Sequence, residues 1–268
     1  MAPGSARRTS ERHSPDHVAS DEERGLDVRH RYAYDLVRDY AEPSHRLLDV
    51  GSGEGYGSTI LMPFVASYAG IDVSADAVAK ANERYGSDNV VFQEYDGLTI
   101  PHPNGSFDLI TSYQVIEHVA DVPRYVAEMR RVGRPGGYVL VTTPNRKLRL
   151  AEGERPWNRY HLREYDAEGL REILTVAFDD VAIYGIRGSE EMERLERRRL
   201  ARARRYAKLD RFGLRHRLPE TVDARIRRLL RRHRETTSVQ PDTLSLAAMW
   251  RSGDNLDMSL DLLAVARV

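Results

Sequence analysis

The chain has 268 residues, 41% of them hydrophobic, which is enough for one large domain or one domain with an elaborate insertion to bury a core. Its 41 Lys and Arg balance its 41 Asp and Glu, so net charge points to no anionic partner, and the absence of cysteine excludes a disulfide framework and thiolate chemistry. No apolar run approaches the roughly 18 residues a bilayer span requires, and the N-terminus lacks a signal-peptide core, so a soluble cytoplasmic protein is expected.

From Met1 to about Asp21 the sequence is rich in Ser, Pro, Arg and Asp, which predicts a disordered tail over residues 1–21. Val28, Tyr32, Leu36, Val37 and Tyr40 then recur at helical spacing and predict an amphipathic helix that ends before Pro43. The stretch Leu47-Leu48-Asp49-Val50-Gly51-Ser52-Gly53-Glu54-Gly55-Tyr56-Gly57 follows, an apolar run closing in an acidic residue and alternating glycines. It reads as a buried parallel strand turning into a helix, with glycines that let a ligand approach the main chain. The dinucleotide spacing Gly-x-Gly-x-x-Gly is broken, because its last position falls on Tyr56 or Ser58, and no lysine completes a Walker loop. Asp49 and Glu54 would repel a pyrophosphate and suit a ligand that carries an ammonium group.

Pro63 shortens the next helix. A second strand, Tyr68 to Asp72, ends in an acidic residue placed to accept hydrogen bonds from ribose hydroxyls. Ser74 caps a helix over Ala75 to Tyr85, which Gly86 closes. The third strand, Val90 to Gln93, runs into Glu94-Tyr95-Asp96-Gly97, and the fourth, Ser106 to Ser112, into Tyr113-Gln114-Val115-Ile116-Glu117-His118-Val119. Asp121 caps a helix to about Val132, and Arg134-Pro135-Gly136-Gly137 turns the chain into strand five, Tyr138 to Thr143. An irregular polar stretch from Pro144 to Tyr165 has the length of a functional loop. Asp166 caps a helix through Phe178; strand six is Val181 to Gly185 and the last strand Leu260 to Val268.

The glycine stretch resembles motif I of the class I S-adenosylmethionine-dependent methyltransferases, most closely the small-molecule, type 11 members. The Phe-Asp-Leu-Ile strand with its Ile-Glu-His sequel and the Pro-Gly-Gly turn are similar too, so the resemblance is strongest from His30 to Tyr165 and extends to Val268. It implies an α/β, Rossmann-like, doubly wound seven-stranded sheet with an antiparallel last strand and a helical insertion between strands six and seven. The cofactor it implies is S-adenosylmethionine, bound by Asp49, Gly51, Gly53, Gly55, Asp72, Val73, Asp96, Gly97 and Tyr113, with Arg31 pairing to the methionine carboxylate. In this resemblance Asp72 takes the ribose hydroxyls and Asp96 the adenine amino group. Glu11-Arg12-His13-Ser14-Pro15 matches a segment that closes over the ligand, and the segment Asn158 to Glu164 one that lies over the acceptor. His118 and His161 are the catalytic candidates, either able to take a proton from an acceptor hydroxyl. Some similar enzymes hold a divalent ion with Glu-x-x-Glu-His, but Gln114 stands at the first position here, so no metal is expected.

Residues 22–187 and 255–268 thus read as the cofactor-binding domain and 188–254 as a basic helical cap. Ser189 to Arg234 carries seventeen Lys and Arg against seven Asp and Glu. Met192, Leu195, Leu200, Ala203, Tyr206 and Leu209 predict one helix, and Val222, Ile226, Leu229 and Leu230 after Pro219 a second. The expected function is methyl transfer, most simply to oxygen, on a small-molecule, sugar-linked or lipid-linked acceptor that the basic cap would favour if anionic. RNA methylation through the cap and a non-catalytic cofactor-binding partner subunit are the alternatives, and the cap could also pack against a second copy of the chain.

Overall fold

The computed structural model describes residues 20–209 and 244–268. An eight-stranded sheet organises them: β1 (Arg46–Val50), β2 (Ser67–Asp72), β3 (Val90–Glu94), β4 (Phe107–Tyr113), β5 (Gly133–Pro144), β6 (Asp180–Gly188), β7 (Met249–Ser252) and β8 (Asp261–Arg267). Their order is β3-β2-β1-β4-β5-β8-β6-β7. Pairing is parallel from β3 through β5; β8 runs antiparallel between β5 and β6, and β7 antiparallel beside β6. The antiparallel last strand is therefore present, but the expected seven strands are eight. The additional one is the short β7, formed by the chain as it returns from the insertion, so Met249–Ser252 belongs to the sheet and not to a helical cap.

Alternation along each central strand fills the two faces. Leu48, Ile110, Val139, Val141 and Leu262 point to one side, where they meet Val122, Val126 and Met129 of α4 (Val122–Val132) and Leu170 and Leu174 of α6 (Ala167–Thr175). Their neighbours Leu47, Leu109, Leu140 and Leu263 point to the other, against α1 (Asp21–Asp35), α2 (Gly57–Leu61), α3 (Ala75–Tyr85) and α7 (Glu190–Leu209). Each such fully buried aliphatic side chain contributes roughly 1.5–3 kcal/mol. A single turn, α5 (Arg146–Arg149), completes the helices used below.

Ser20 caps α1 through the Glu23 amide, so this helix starts well before Val28; it gives way at Leu36 to a 3-10 turn. Pro63 ends α2 as expected, in a 3-10 turn over Met62–Phe64. Apart from Ser20 and Asp21, the expected tail lies outside the described residues, as do the Glu11 to Pro15 segment and the second insertion helix after Pro219. Among the described residues no helix is long and apolar enough to cross a membrane.

Candidate active site

At the carboxyl end of β1 the chain leaves the sheet through Gly51, Gly53 and Gly55, at φ of 82°, 56° and 83°. A Cβ on Gly51 would lie 2.4 Å from Val115, and one on Gly55 2.6 Å from the Phe92 ring, so packing closes both positions to side chains. A Cβ on Gly53 would meet nothing within 4 Å. The loop is thus wedged at two glycines and open at the middle one. The Gly53 amide donates to Asp72 Oδ2 (3.0 Å) and the Ser74 amide to Asp72 Oδ1 (2.9 Å), which fixes that carboxylate beside the loop at the end of β2.

Asp49 is only 1% exposed. Its carboxylate accepts hydrogen bonds from the hydroxyls of Tyr34 (2.9 Å), Tyr68 (2.7 Å) and Thr111 (2.8 Å). Burial pushes its pKa up, and these three donors, Tyr68 foremost, pull it part of the way back. The residue read as a partner for a ligand's ammonium group therefore ties β1 to α1, β2 and β4.

Arg31 is held by Asp27 one turn back on α1 (2.8 Å), with its guanidinium 5.9 Å from the centre of the Tyr56 ring. The residues of that helix that reach the loop are His30, hydrogen-bonded to the Tyr56 hydroxyl, and Tyr34. Tyr113 closes β4 with its ring 4.9 Å from that of Tyr34, and among the described residues its buried hydroxyl has no hydrogen-bond partner; nor has that of Ser52. Val73, partly buried, packs against the core beneath the end of β2. Asp96 is exposed, and the amides of Thr99 and Leu98 (2.8 Å each) hold its carboxylate below the ordinary range; Gly97 follows at φ 77°.

Beside the loop, β4 continues into Gln114, a non-glycine residue at φ 58° whose amide donates to the Thr142 carbonyl (2.9 Å). This left-handed residue turns the chain into a 3-10 turn, Ile116–His118, and sets Val115 against Gly51. The polar loop after β5 folds back onto that turn. Leu162 and Arg163 amides both meet the Glu117 carbonyl (2.8 and 3.4 Å), so Glu117, His118 and His161 come together. The two imidazoles meet edge to face with centroids 4.8 Å apart. His118 Nδ1 lies 3.1 Å from the Tyr160 carbonyl and His161 Nδ1 2.8 Å from Glu164 Oε1. A carbonyl and an ionised carboxylate only accept, so each Nδ1 carries a proton, and in the neutral form of either ring Nε2 keeps its lone pair. Glu117 is 1% exposed and accepts from the Thr143 hydroxyl (3.0 Å); burial raises its pKa against the opposing pull of His161 and His118.

Sequence reading singled out the two histidines and missed the groups that orient them. Burial would raise the Glu164 pKa, but the His161 hydrogen bond and the Arg149 guanidinium (3.0 Å) hold it below its ordinary value. Arg149 also lies over Trp157, 4.4 Å from its ring centroid, and Arg199 of α7 stands 5.9 Å from the same centroid. Arg204 donates to the Leu148 and Arg149 carbonyls (3.1 and 3.0 Å), while Glu196 joins Arg29 (3.2 Å) and Arg199 (2.6 Å) in a buried ion cluster with Asp261. The first insertion helix is thereby fastened to the loop that carries His161. Five of its arginines are committed, Arg194, Arg197, Arg199 and Arg202 to carboxylates and Arg204 to carbonyls.

Residues 48–141 match a family described as a methyltransferase domain. A probable S-adenosylmethionine-dependent methyltransferase of Mycolicibacterium smegmatis is 36% identical over 143 residues, 52% of this chain and 55% of that one. A probable chloroplastic tocopherol O-methyltransferase of Oryza sativa subsp. japonica is 34% identical over 122 residues, 43% of this chain and 34% of that one. The matched part thus spans about half the length of the first relative and a third of the second. Among solved structures, the [4+2]-cyclase SpnF superposes with a TM-score of 0.57 at 24% identity, covering 88% of this chain and 81% of that one, a likeness of fold alone.

Proposed function

We propose that the chain, whose residues 48–141 match a methyltransferase-domain family, is a class I S-adenosylmethionine-dependent methyltransferase that methylates a hydroxyl of a small-molecule, sugar-linked or lipid-linked acceptor. The observation that carries this reading is the placement of the open Gly53 and the fixed Asp72 carboxylate at the ends of β1 and β2, one strand from the Glu117–His118–His161 cluster beyond β4.

The residues fit S-adenosylmethionine: the unpartnered buried hydroxyls of Tyr113 and Ser52 and the open front of Gly53 are places that a polar ligand would complete. Bound there, the cofactor supplies a methyl group already activated by its sulfonium. Gly51, Gly53 and Gly55 would hold it through the main chain, Asp72 would accept from its ribose, and Asp96 and Gly97 would receive its base. The task left to the chain is to align the acceptor oxygen and exclude water. With the methyl group supplied from that site, the acceptor's hydroxyl proton would be released at the Glu117–His118–His161 cluster, where the Nε2 of a neutral imidazole would take it.

The similarity to an O-methyltransferase supports oxygen as the acceptor atom. The ion pairs that occupy Arg194, Arg197, Arg199 and Arg202 of α7 favour a cap over the acceptor rather than a nucleic-acid surface. A cytoplasmic location goes with this reading. Incubation with methyl-labelled S-adenosylmethionine and, in turn, hydroxylated sugars, lipids and RNA tests it: label should enter an alkali-stable methyl ether on a sugar or lipid. Label in RNA alone, or in no acceptor, would contradict it.

A further inference from the structure

We propose that Glu117, His118 and His161 bind a divalent transition-metal ion that receives the acceptor's oxygen. This deepens the reading above and rests on it. One donor atom from each of the three residues lies within 4.8 Å of the others. Ligands about 2.1 Å from a common ion stand at most about 4.2 Å apart, so a small rotamer adjustment closes the set.

Proximity alone would describe many polar clusters; the surroundings are more specific. Each imidazole commits Nδ1 to an acceptor, His118 to the Tyr160 carbonyl and His161 to Glu164. In the neutral rings this leaves each Nε2 lone pair for a ligand, and such outer partners are what fix tautomer and ring orientation in metal-binding histidines. Glu164 is itself fixed by Arg149 (3.0 Å), with both side chains almost wholly buried. Glu117 receives the Thr143 hydroxyl at Oε2 and is almost wholly buried, and a buried carboxylate is costly unless donors or a cation compensate it. The main chain ties the two halves of the set together through the Leu162 and Arg163 amides on the Glu117 carbonyl.

Two imidazoles and one carboxylate select borderline ions such as Mn²⁺, Fe²⁺, Co²⁺ or Zn²⁺ over Mg²⁺ or Ca²⁺, whose sites are built from oxygen. Three protein donors leave further positions open. With the ion in place both Nε2 lone pairs would be occupied, so an acceptor hydroxyl bound there would lose its proton, more readily, to solvent water rather than to an imidazole. It would also be held in place, which narrows the substrate to one that offers an oxygen, and favours one with two neighbouring oxygens. Gln114 is not needed for this set, because His161 supplies the third donor.

Titration of the full chain with CoCl₂, followed by visible absorption and calorimetry, tests the site directly. One Co²⁺ per chain is expected. Glu117→Gln and His161→Ala should each weaken binding at least about tenfold, and Glu164→Gln, which removes only an outer partner, by about 10–100-fold. The same preparations should bind S-adenosylmethionine as the unaltered chain does, which also shows that the variants are folded. Absence of Co²⁺ binding in protein that binds S-adenosylmethionine, or Co²⁺ affinity unchanged in all three variants, would overturn the metal site and leave the methyltransferase reading standing. Failure to bind S-adenosylmethionine would instead overturn that reading and the metal's proposed role with it.

Discussion

Gly51 and Gly53 both sit at positive φ, yet the structure separates their roles. An alanine at 51 would drive its Cβ into Val115 (2.4 Å), the residue that connects the glycine loop to the Glu117 turn, whereas an alanine at 53 would project into open space. Gly51→Ala should therefore destabilise the fold by more than the roughly 1–3 kcal/mol that a left-handed non-glycine residue costs by itself. Gly53→Ala should cost no more than that backbone term while lowering affinity for S-adenosylmethionine at least tenfold. Denaturant unfolding alongside ligand titration separates the two, and equal stability losses would contradict the assignment. The glycines were legible in the sequence because few other residues adopt these conformations. Asp49 was legible only as an acidic strand end; its hydroxyl partners come from positions 15, 19 and 62 residues away, a distance over which sequence pattern is silent.

At the scale of elements, α7 is the part whose helical stripe could be read and whose attachment could not. Its Glu196 is buried between Arg29 and Arg199. Burial would raise the carboxyl pKa, but the Arg199 and Arg29 guanidiniums more than offset that and hold it far below the ordinary 4.5. A depressed carboxylate pKa contributes stability that is complete above the ordinary glutamate range and is withdrawn as pH falls below it. Glu196→Gln leaves buried guanidinium charge less compensated and should cost about 3 kcal/mol near neutral pH. The gap to the unaltered chain should narrow as pH is lowered from about 5 to 3. Urea unfolding across that range checks the sign, and a gap that widens toward acid would refute it. Strand β7 escaped the sequence reading for a different reason. Met249–Ser252 is four residues long at a sheet edge, too short for alternation to register, and is recognised only by its pairing with β6.

For the whole molecule, long apolar strands alternating with capped helices were enough to fix the sheet from β1 to β5, since local pattern and topology agree there. The acceptor end was only half legible. The Ile-Glu-His turn and the loop histidine were each visible, but their meeting depends on a carbonyl contact spanning 42 residues and on Glu164 and Arg149 holding the loop. The resulting molecule places the open glycine loop at the ends of β1 and β2 and the histidine pair beyond the adjacent β4, with the first insertion helix bound to the loop that supplies His161. The most direct test is calorimetric titration with S-adenosylmethionine and, in parallel, with NADH. One molecule of S-adenosylmethionine should bind per chain, NADH should not bind, and Asp72→Ala should weaken the former at least tenfold. Binding of NADH alone, or S-adenosylmethionine affinity unaffected by Asp72→Ala, would contradict the account.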